Sequence, residues 1–122
     1  MQRPFRLHRS SDIQRVRRTG KSYAHPLLVL VVARNETPAK RVAFSVGKRL
    51  GGAVQRNRAK RRLREAVRPL VASISEGWDL LVVARAGAAT ADFADLTGAV
   101  RSLLQKAGVL AGDDAKPARS GG

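Results

Sequence analysis

Apolar positions in this chain fall into six segments with two different periods. Residues 27–33 read L-L-V-L-V-V-A. This short run, rich in β-branched residues, predicts a buried strand within 22–34. Residues 41–47 alternate, with Val42, Phe44 and Val46 on one face and Ala43 and Ser45 on the other, which predicts a second strand. The connection between them, 35–40 with Pro38, is short enough for an antiparallel hairpin. Residues 78–85, W-D-L-L-V-V-A-R, predict a third strand. The other segments are helical. Ala59, Leu63, Ala66, Val67 and Leu70 fall within about 100° of arc on a helical wheel. That helix follows Gly51 and Gly52 and is expected to end between 68 and 73, around Pro69. Phe93, Leu96, Val100, Leu103, Leu104 and Ala107 predict a last helix over 91–107, capped by Thr90 and closed by Gly108. A short first helix over 12–18 is expected to be capped by Ser11 and stopped by Gly20; Ile13 and Val16 form its narrow apolar edge.

The predicted order is helix, strand, strand, helix, strand, helix. It describes an α+β, two-layer sandwich in the order α-β-β-α-β-α, with a small mixed sheet and two amphipathic helices on one face. Residues 27–32 are apolar on both sides, so the first helix is the natural cover of the second face, leaving a cleft between helix and sheet. The second strand, the middle helix and the third strand form a βαβ crossover, right-handed by the general rule. Residues 1–110 are expected to form one domain, opening on a basic arm over 1–10. Residues 111–122 are expected to be a disordered tail.

Charge changes the picture. The chain of 122 residues carries a formal net charge of +15, with a pI near 11.8. Residues 1–68 hold 19 Lys/Arg against 3 Asp/Glu, and residues 69–122 hold 5 against 6. A positive charge concentrated in one half of the chain is the footprint of a nucleic-acid partner. Absence of cysteine excludes disulfides and thiolate metal sites; His8 and His25 alone make no zinc site. No apolar run approaches about 18 residues, and no signal peptide is apparent, so a cytoplasmic location is expected.

The charge peaks in residues 48–68, where Lys48, Arg49, Arg56, Arg58, Lys60, Arg61, Arg62, Arg64 and Arg68 are opposed by Glu65 alone. On the middle helix Asn57, Arg61, Arg64 and Arg68 are spaced i, i+4, i+7, i+11 and form a stripe. Lys60 lies between that stripe and the apolar face, and Arg58 and Arg62 lie on the other flank. A solvated face normally mixes signs, whereas like charges this close repel and favour an external polyanion. Guanidinium forks match phosphate oxygens two at a time. A protein nuclease would need clustered carboxylates or a His–carboxylate pair. Asp12, Glu36 and Glu65 lie far apart, and Asp92 and Asp95 are better explained as first-turn helix charges, so no catalytic or metal-ligating residue is expected. A stand-alone RNA-binding protein of ribosomal type is the alternative. A membrane-surface helix does not fit the narrow, Ala-rich apolar face.

The block G-K-R-L-G-G-A-V-Q-R-N-R-A-K-R-R-L-R-E over 47–65, with F-S-V-G-K before it, resembles the signature of the bacterial ribonuclease P protein component. The resemblance extends over residues 5–107. It implies a ribosomal protein S5 domain 2-like fold with one further short strand, which residues 21–24 would supply, and a left-handed crossover. It further implies a non-catalytic protein subunit of a hydrolase, the endoribonuclease that removes the 5′ leader of precursor tRNA. In that family the RNA subunit catalyses, using Mg2+. The expected partners are therefore the ribonuclease P RNA and the precursor's leader, with no membrane and no obligate protein partner. Lys48, Arg49, Arg56, Asn57, Arg58, Lys60, Arg61, Arg62, Arg64 and Arg68 would bind the RNA subunit. Ile13, Arg17, Tyr23 and Val31 would meet the leader. Ile13 and Arg17 stand where the family often has aromatic residues, so stacking on rings is not expected there.

Overall fold

The structure, a computed structural model, describes residues 10–111. The arm expected over 1–10 lies outside them except for Ser10, as does the tail expected over 111–122 except for Ala111. The elements are α1 (Ser10–Thr19), β1 (Lys21–Ala24), β2 (Leu28–Arg34), β3 (Arg41–Val46), α2 (Ala53–Val67), β4 (Trp78–Ala84) and α3 (Phe93–Ala107). Among the described residues, 3-10 turns at Lys48–Leu50, Arg68–Ser73 and Ala86–Ala89 punctuate the connections.

The four strands lie in the order β1-β2-β4-β3. The segment predicted as one strand over 22–34 is two, as the family resemblance implied. His25, Pro26 and Leu27 turn the chain, with the Leu27 amide donating to His25 Nδ1 at 3.0 Å, and β1 returns antiparallel on β2. The hairpin expected between the next two strands does not form. β4 inserts between β2 and β3, antiparallel to the first and parallel to the second. The reason lies in β4's composition: Leu80 and Leu81 are both fully buried, so this strand needs cover on both faces and takes the centre of the sheet. Loop 35–40 wraps around its start instead of pairing its flanks. The Asn35 amide donates to Gly77 O at 2.9 Å and the Gly77 amide to Ala39 O at 2.8 Å. The Lys40 ammonium donates to Val71, Ala72 and Ile74 carbonyls at 2.8, 3.3 and 3.1 Å, binding that loop to the end of a 3-10 turn.

Side-chain alternation in β2, β3 and β4 sorts the core into two clusters. Leu28, Leu30, Val32, Val42, Leu80 and Val82 face α2 and α3, where they meet Leu63, Val67, Leu96, Val100 and Leu103. Val31, Ala33, Ala43 and Leu81 face the other way and pack on Val16 of α1, with Ile13, Val29 and Val83 half-buried at the margin. α2 buries Ala59, Leu63, Ala66 and Val67 of the expected arc, while Leu70, its last member, is buried in the 3-10 turn that follows. The helix ends at Val67, and Pro69 sits in the first positions of that turn. α3 starts later than expected, at Phe93 with Asp92 as its N-cap residue. Thr90 instead closes the Ala86–Ala89 turn. Gly108, at φ 72°, ends α3 in the left-handed conformation that glycine tolerates.

α1 begins at Ser10, so Ser11 lies inside it rather than capping it. Its docking rests on more than Val16. Asp79, on the α1 face of β4, is fully buried. It accepts from Arg41 Nε at 2.9 Å and Nη2 at 2.8 Å, from Asn35 Nδ2 at 2.8 Å, and from Arg15 of α1. Asp12 completes the cluster, 3.5 Å from Arg41 and 4.0 Å from Arg15. Two arginines and two aspartates therefore balance in charge at the junction of α1, β3 and β4. The hydrogen bond to Asp79 is the main cause that raises the Arg41 pKa above its ordinary value. A raised basic group stays charged throughout the neutral range, and its contribution is lost only at strongly alkaline pH. Gly20 lets the chain leave α1 close to the sheet: a Cβ there would lie 2.5 Å from Val16 O and 2.8 Å from Val32 O.

Asp79→Ala is expected to strand two guanidinium groups and an amide. Breaking a buried pair costs roughly 3–5 kcal/mol. Arg15 and Arg41 remain 31% and 28% exposed, so the low end, about 3 kcal/mol, is expected in urea unfolding. Glu65→Ala, which removes the exposed pair with Arg68, should cost less than about 1 kcal/mol. Equal losses for the two variants would contradict a structural role for the Asp79 cluster.

Candidate nucleic-acid interface

α2 presents three flanks besides its buried arc. The outermost carries the stripe. Asn57, Arg61 and Arg68 are exposed and Arg64 is half-buried. Arg68 pairs with Glu65 at 3.0 Å. The Arg64 guanidinium lies 5.9 Å from the centroid of the Phe44 ring, close enough for a weak cation–π contact that fixes its direction. Arg61 has no partner among the described residues, and Glu65, the helix's acidic side chain, is committed to Arg68.

A second flank faces β3. Arg56, Asn57 and Lys60, with Ala53, Phe44, Ser45 and Val46, line an open groove of about 340 Å³. Arg56 Nε is buried there without a hydrogen-bond partner among the described residues. A buried donor left unpaired costs free energy, which an anion entering the groove would recover. The third flank holds Arg58 and Arg62. Arg58 Nε donates to Ala89 O at 2.9 Å. Arg62 donates through Nη1 to the same oxygen at 2.7 Å and through Nη2 to Ala91 O. Arg49 is exposed on the turn before α2, and Lys48 opens that turn. Gly51, at φ 124°, supplies the bend leading into the helix.

Of the residues expected to meet a leader strand, the fold gathers Ile13, Arg17 and Val31 at α1. Arg17 is exposed and its Nη2 donates to Ser45 Oγ on β3 at 3.0 Å. Ile13 is half-buried at the edge of the α1-face cluster. Val31, however, is covered by α1 and only 6% exposed. The residues left open beside α1 on that face are Val29 and Val83, half-buried, with Ser45 next to them. Tyr23 is elsewhere: it packs on the cluster beneath α2 and α3, through the sheet from Ile13, with the Lys21 ammonium 5.6 Å from its ring centroid. Alternation along β1 could have placed it there. Ser45, Val29 and Val83 were not singled out from the sequence, because their role depends on how much of the sheet α1 leaves bare.

Among the described residues no three His, Cys, Asp or Glu side chains come together as a metal site. Asp12 and Asp79, which do converge, have arginines on their oxygens. The residues present therefore offer a metal ion no carboxylate cage. No helix among them is long and apolar enough to cross a membrane.

The model of the family described as Ribonuclease P matches residues 1–108. The "Ribonuclease P protein component" of Roseiflexus castenholzii is 47% identical over 113 residues, spanning 92% of this chain and 93% of that protein. Its namesake from Dehalococcoides mccartyi strain CBDB1 is 40% identical over 116 residues, with 95% of each covered. Among solved structures, the RNase P protein of Staphylococcus aureus superposes with a TM-score of 0.78 at 31% identity, covering 87% of this chain and 97% of that one. The Thermotoga maritima RNase P protein superposes at 0.74 and 27% identity, covering 83% and 96%. With a basic, outward-facing α2 on the same α+β frame, this chain belongs to the ribonuclease P protein component family.

Proposed function

We propose that this protein is the RNA-binding subunit of a ribonuclease P, assisting a catalytic RNA in removing the 5′ leader from precursor tRNA. The observation that carries the proposal is the free outer face of α2. Asn57, Arg61, Arg64 and Arg68 stand in one row, and one carboxylate, Glu65, answers them. Such a row suits the phosphates of a structured RNA, with Arg49, Arg56 and Lys60 extending it toward the turn and the groove. The leader strand is assigned to the cleft beside α1, where Ile13, Val29 and Val83 offer an apolar floor and Arg17 a charged rim. With no aromatic side chain among the described residues of that floor, the contact there would depend on apolar packing and phosphate pairing rather than stacking. Divalent metal chemistry is assigned to the RNA, since among the described residues the carboxylates are scattered or paired with arginine.

RNA-free protein is expected to leave precursor tRNA intact at millimolar Mg2+, with cleavage appearing when a ribonuclease P RNA is added. Site-specific cleavage by protein rigorously freed of RNA would overturn the assignment of catalysis to RNA. Affinity for the RNA subunit should fall with salt at a log–log slope of roughly 0.7–0.9 per phosphate contact. With about four to six contacts, on the order of 10²-fold is lost between about 50 and 200 mM salt. A flat salt dependence would reject phosphate pairing as the main term.

The two surfaces should separate by mutation. Arg17→Ala is expected to lower affinity for leader-bearing precursor relative to leaderless tRNA, with assembly on the RNA subunit nearly unchanged. Arg61→Ala should weaken assembly by about 1.5–3 kcal/mol at most, the range for a charge-assisted hydrogen bond. If Arg17→Ala and Ile13→Ala both keep full leader discrimination, the cleft beside α1 is not the leader site.

A further inference from the structure

Arg62 differs from its neighbours on α2 in what its guanidinium holds. Two of its nitrogens donate to carbonyls of the β4–α3 connection, at Ala89 and Ala91. Arg58, one helical turn earlier, donates a second bond to Ala89 O. The connection is fixed from its other side as well. The Arg85 amide donates to Leu27 O at 3.0 Å, and a Cβ on Gly87 would come within 2.9 Å of Leu27 Cδ2. Ala88 and Ala89 are buried, so the turn is held between Leu27 and the α2 arginines. A fork that spans two carbonyls is a guanidinium property; an ammonium is a single point donor and cannot reproduce it. A phosphate drawing Arg62 outward would have to break both bonds.

We infer that Arg62, supported by Arg58, is a positioning residue for RNA binding rather than a phosphate contact. It ties α2 to the Ala86–Ala89 turn and so fixes the roll of the helix on the sheet. That roll decides whether Asn57, Arg61, Arg64 and Arg68 face the RNA together. Charge at Arg62 is spent inside the protein, although its place in a run of six basic residues within 56–62 and 64 suggests otherwise. The inference rests on the RNA-binding role proposed above.

Arg62→Lys is the decisive variant, because it keeps the charge and nearly the same helix propensity while removing the fork. Three measurements are made on it, on Arg62→Ala and on Arg61→Ala. They are hydrogen–deuterium exchange of the free protein, affinity for ribonuclease P RNA, and the salt slope of that affinity. The turn's own amide bonds, from Ala88 to Arg85 O and from Thr90 and Ala91 to Gly87 O, report the staple. In both Arg62 variants exchange over 86–91 should accelerate about tenfold, as expected when a charge-assisted bond is lost. RNA affinity should fall in both while the salt slope stays at the wild-type value. Arg61→Ala should leave that exchange alone and lower the slope by about 0.7–0.9. The inference is overturned if Arg62→Lys keeps wild-type exchange or wild-type affinity, or if Arg62→Ala lowers the slope as much as Arg61→Ala does. An unchanged slope in Arg61→Ala would count against the proposed RNA face, and the exchange data would still judge the staple.

Discussion

The architecture depends on one buried carboxylate. Asp79 has no solvent exposure, in a strand whose other inward residues are apolar. Its oxygens would be costly there without strong donors. Arg15 and Arg41 supply them, with the Asn35 amide. Because those donors come from α1, β3 and the loop that wraps β4, satisfying one side chain locks three separate segments. α1 has a narrow apolar edge, and Val16 is its one fully buried residue among those whose burial is described. Hydrophobic contact alone would hold it loosely. The ionic cluster anchors α1 at the Asp79 end of the sheet and leaves Val29, Val83 and Ser45 open beside it. Val29 and Val83 are half-buried because of where the anchor lies.

On the opposite face, α2 is held by the hydrophobic arc that includes Leu63 and Val67, and its basic residues are divided by what surrounds them. One flank lines the groove against β3, where Arg56 Nε waits unpaired. The other is occupied by backbone carbonyls of the 86–91 connection. Between them the stripe stays open. A helix bearing this much like charge would be disfavoured on its own, and the buried arc and the bonds to the 86–91 connection hold it in place.

Much of this was legible in the sequence. Periodicity fixed the buried arc of α2 and the alternation of β3, because a helix or strand packed on one face must repeat its apolar residues at that element's own period. The R-N-R block in its glycine-containing context identified the family. Pairing was the weak point. Loop 35–40 is as short as a hairpin, and nothing local says that β4, some forty residues later, takes the place beside β2. The signal was available in β4 itself, apolar on both faces and hence central. Asp79 was also visible, as a lone acid at an α1-facing position of an apolar strand in a strongly basic chain. Its partners were not, because Arg15 and Arg41 are two among 24 cations. The residues of the surface beside α1 were only partly legible. Val31 is covered by α1 and Tyr23 lies through the sheet, since exposure on a strand depends on how far a helix extends over it.

Absence of cysteine from the chain allows the account to be tested by proximity. A hydroxyl-radical source can be tethered at one introduced cysteine at a time in the assembled complex of protein, ribonuclease P RNA and leader-bearing precursor tRNA. Glu65→Cys places it beside the α2 stripe, Ser45→Cys in the cleft at α1, and Lys106→Cys at the exposed end of α3. Strand breaks should fall in the RNA subunit from Glu65→Cys and in the precursor's leader from Ser45→Cys, with Lys106→Cys giving few in either. Strong cutting of the RNA subunit from Lys106→Cys with none from Glu65→Cys would contradict the claim that the outer face of α2 is the RNA-binding surface.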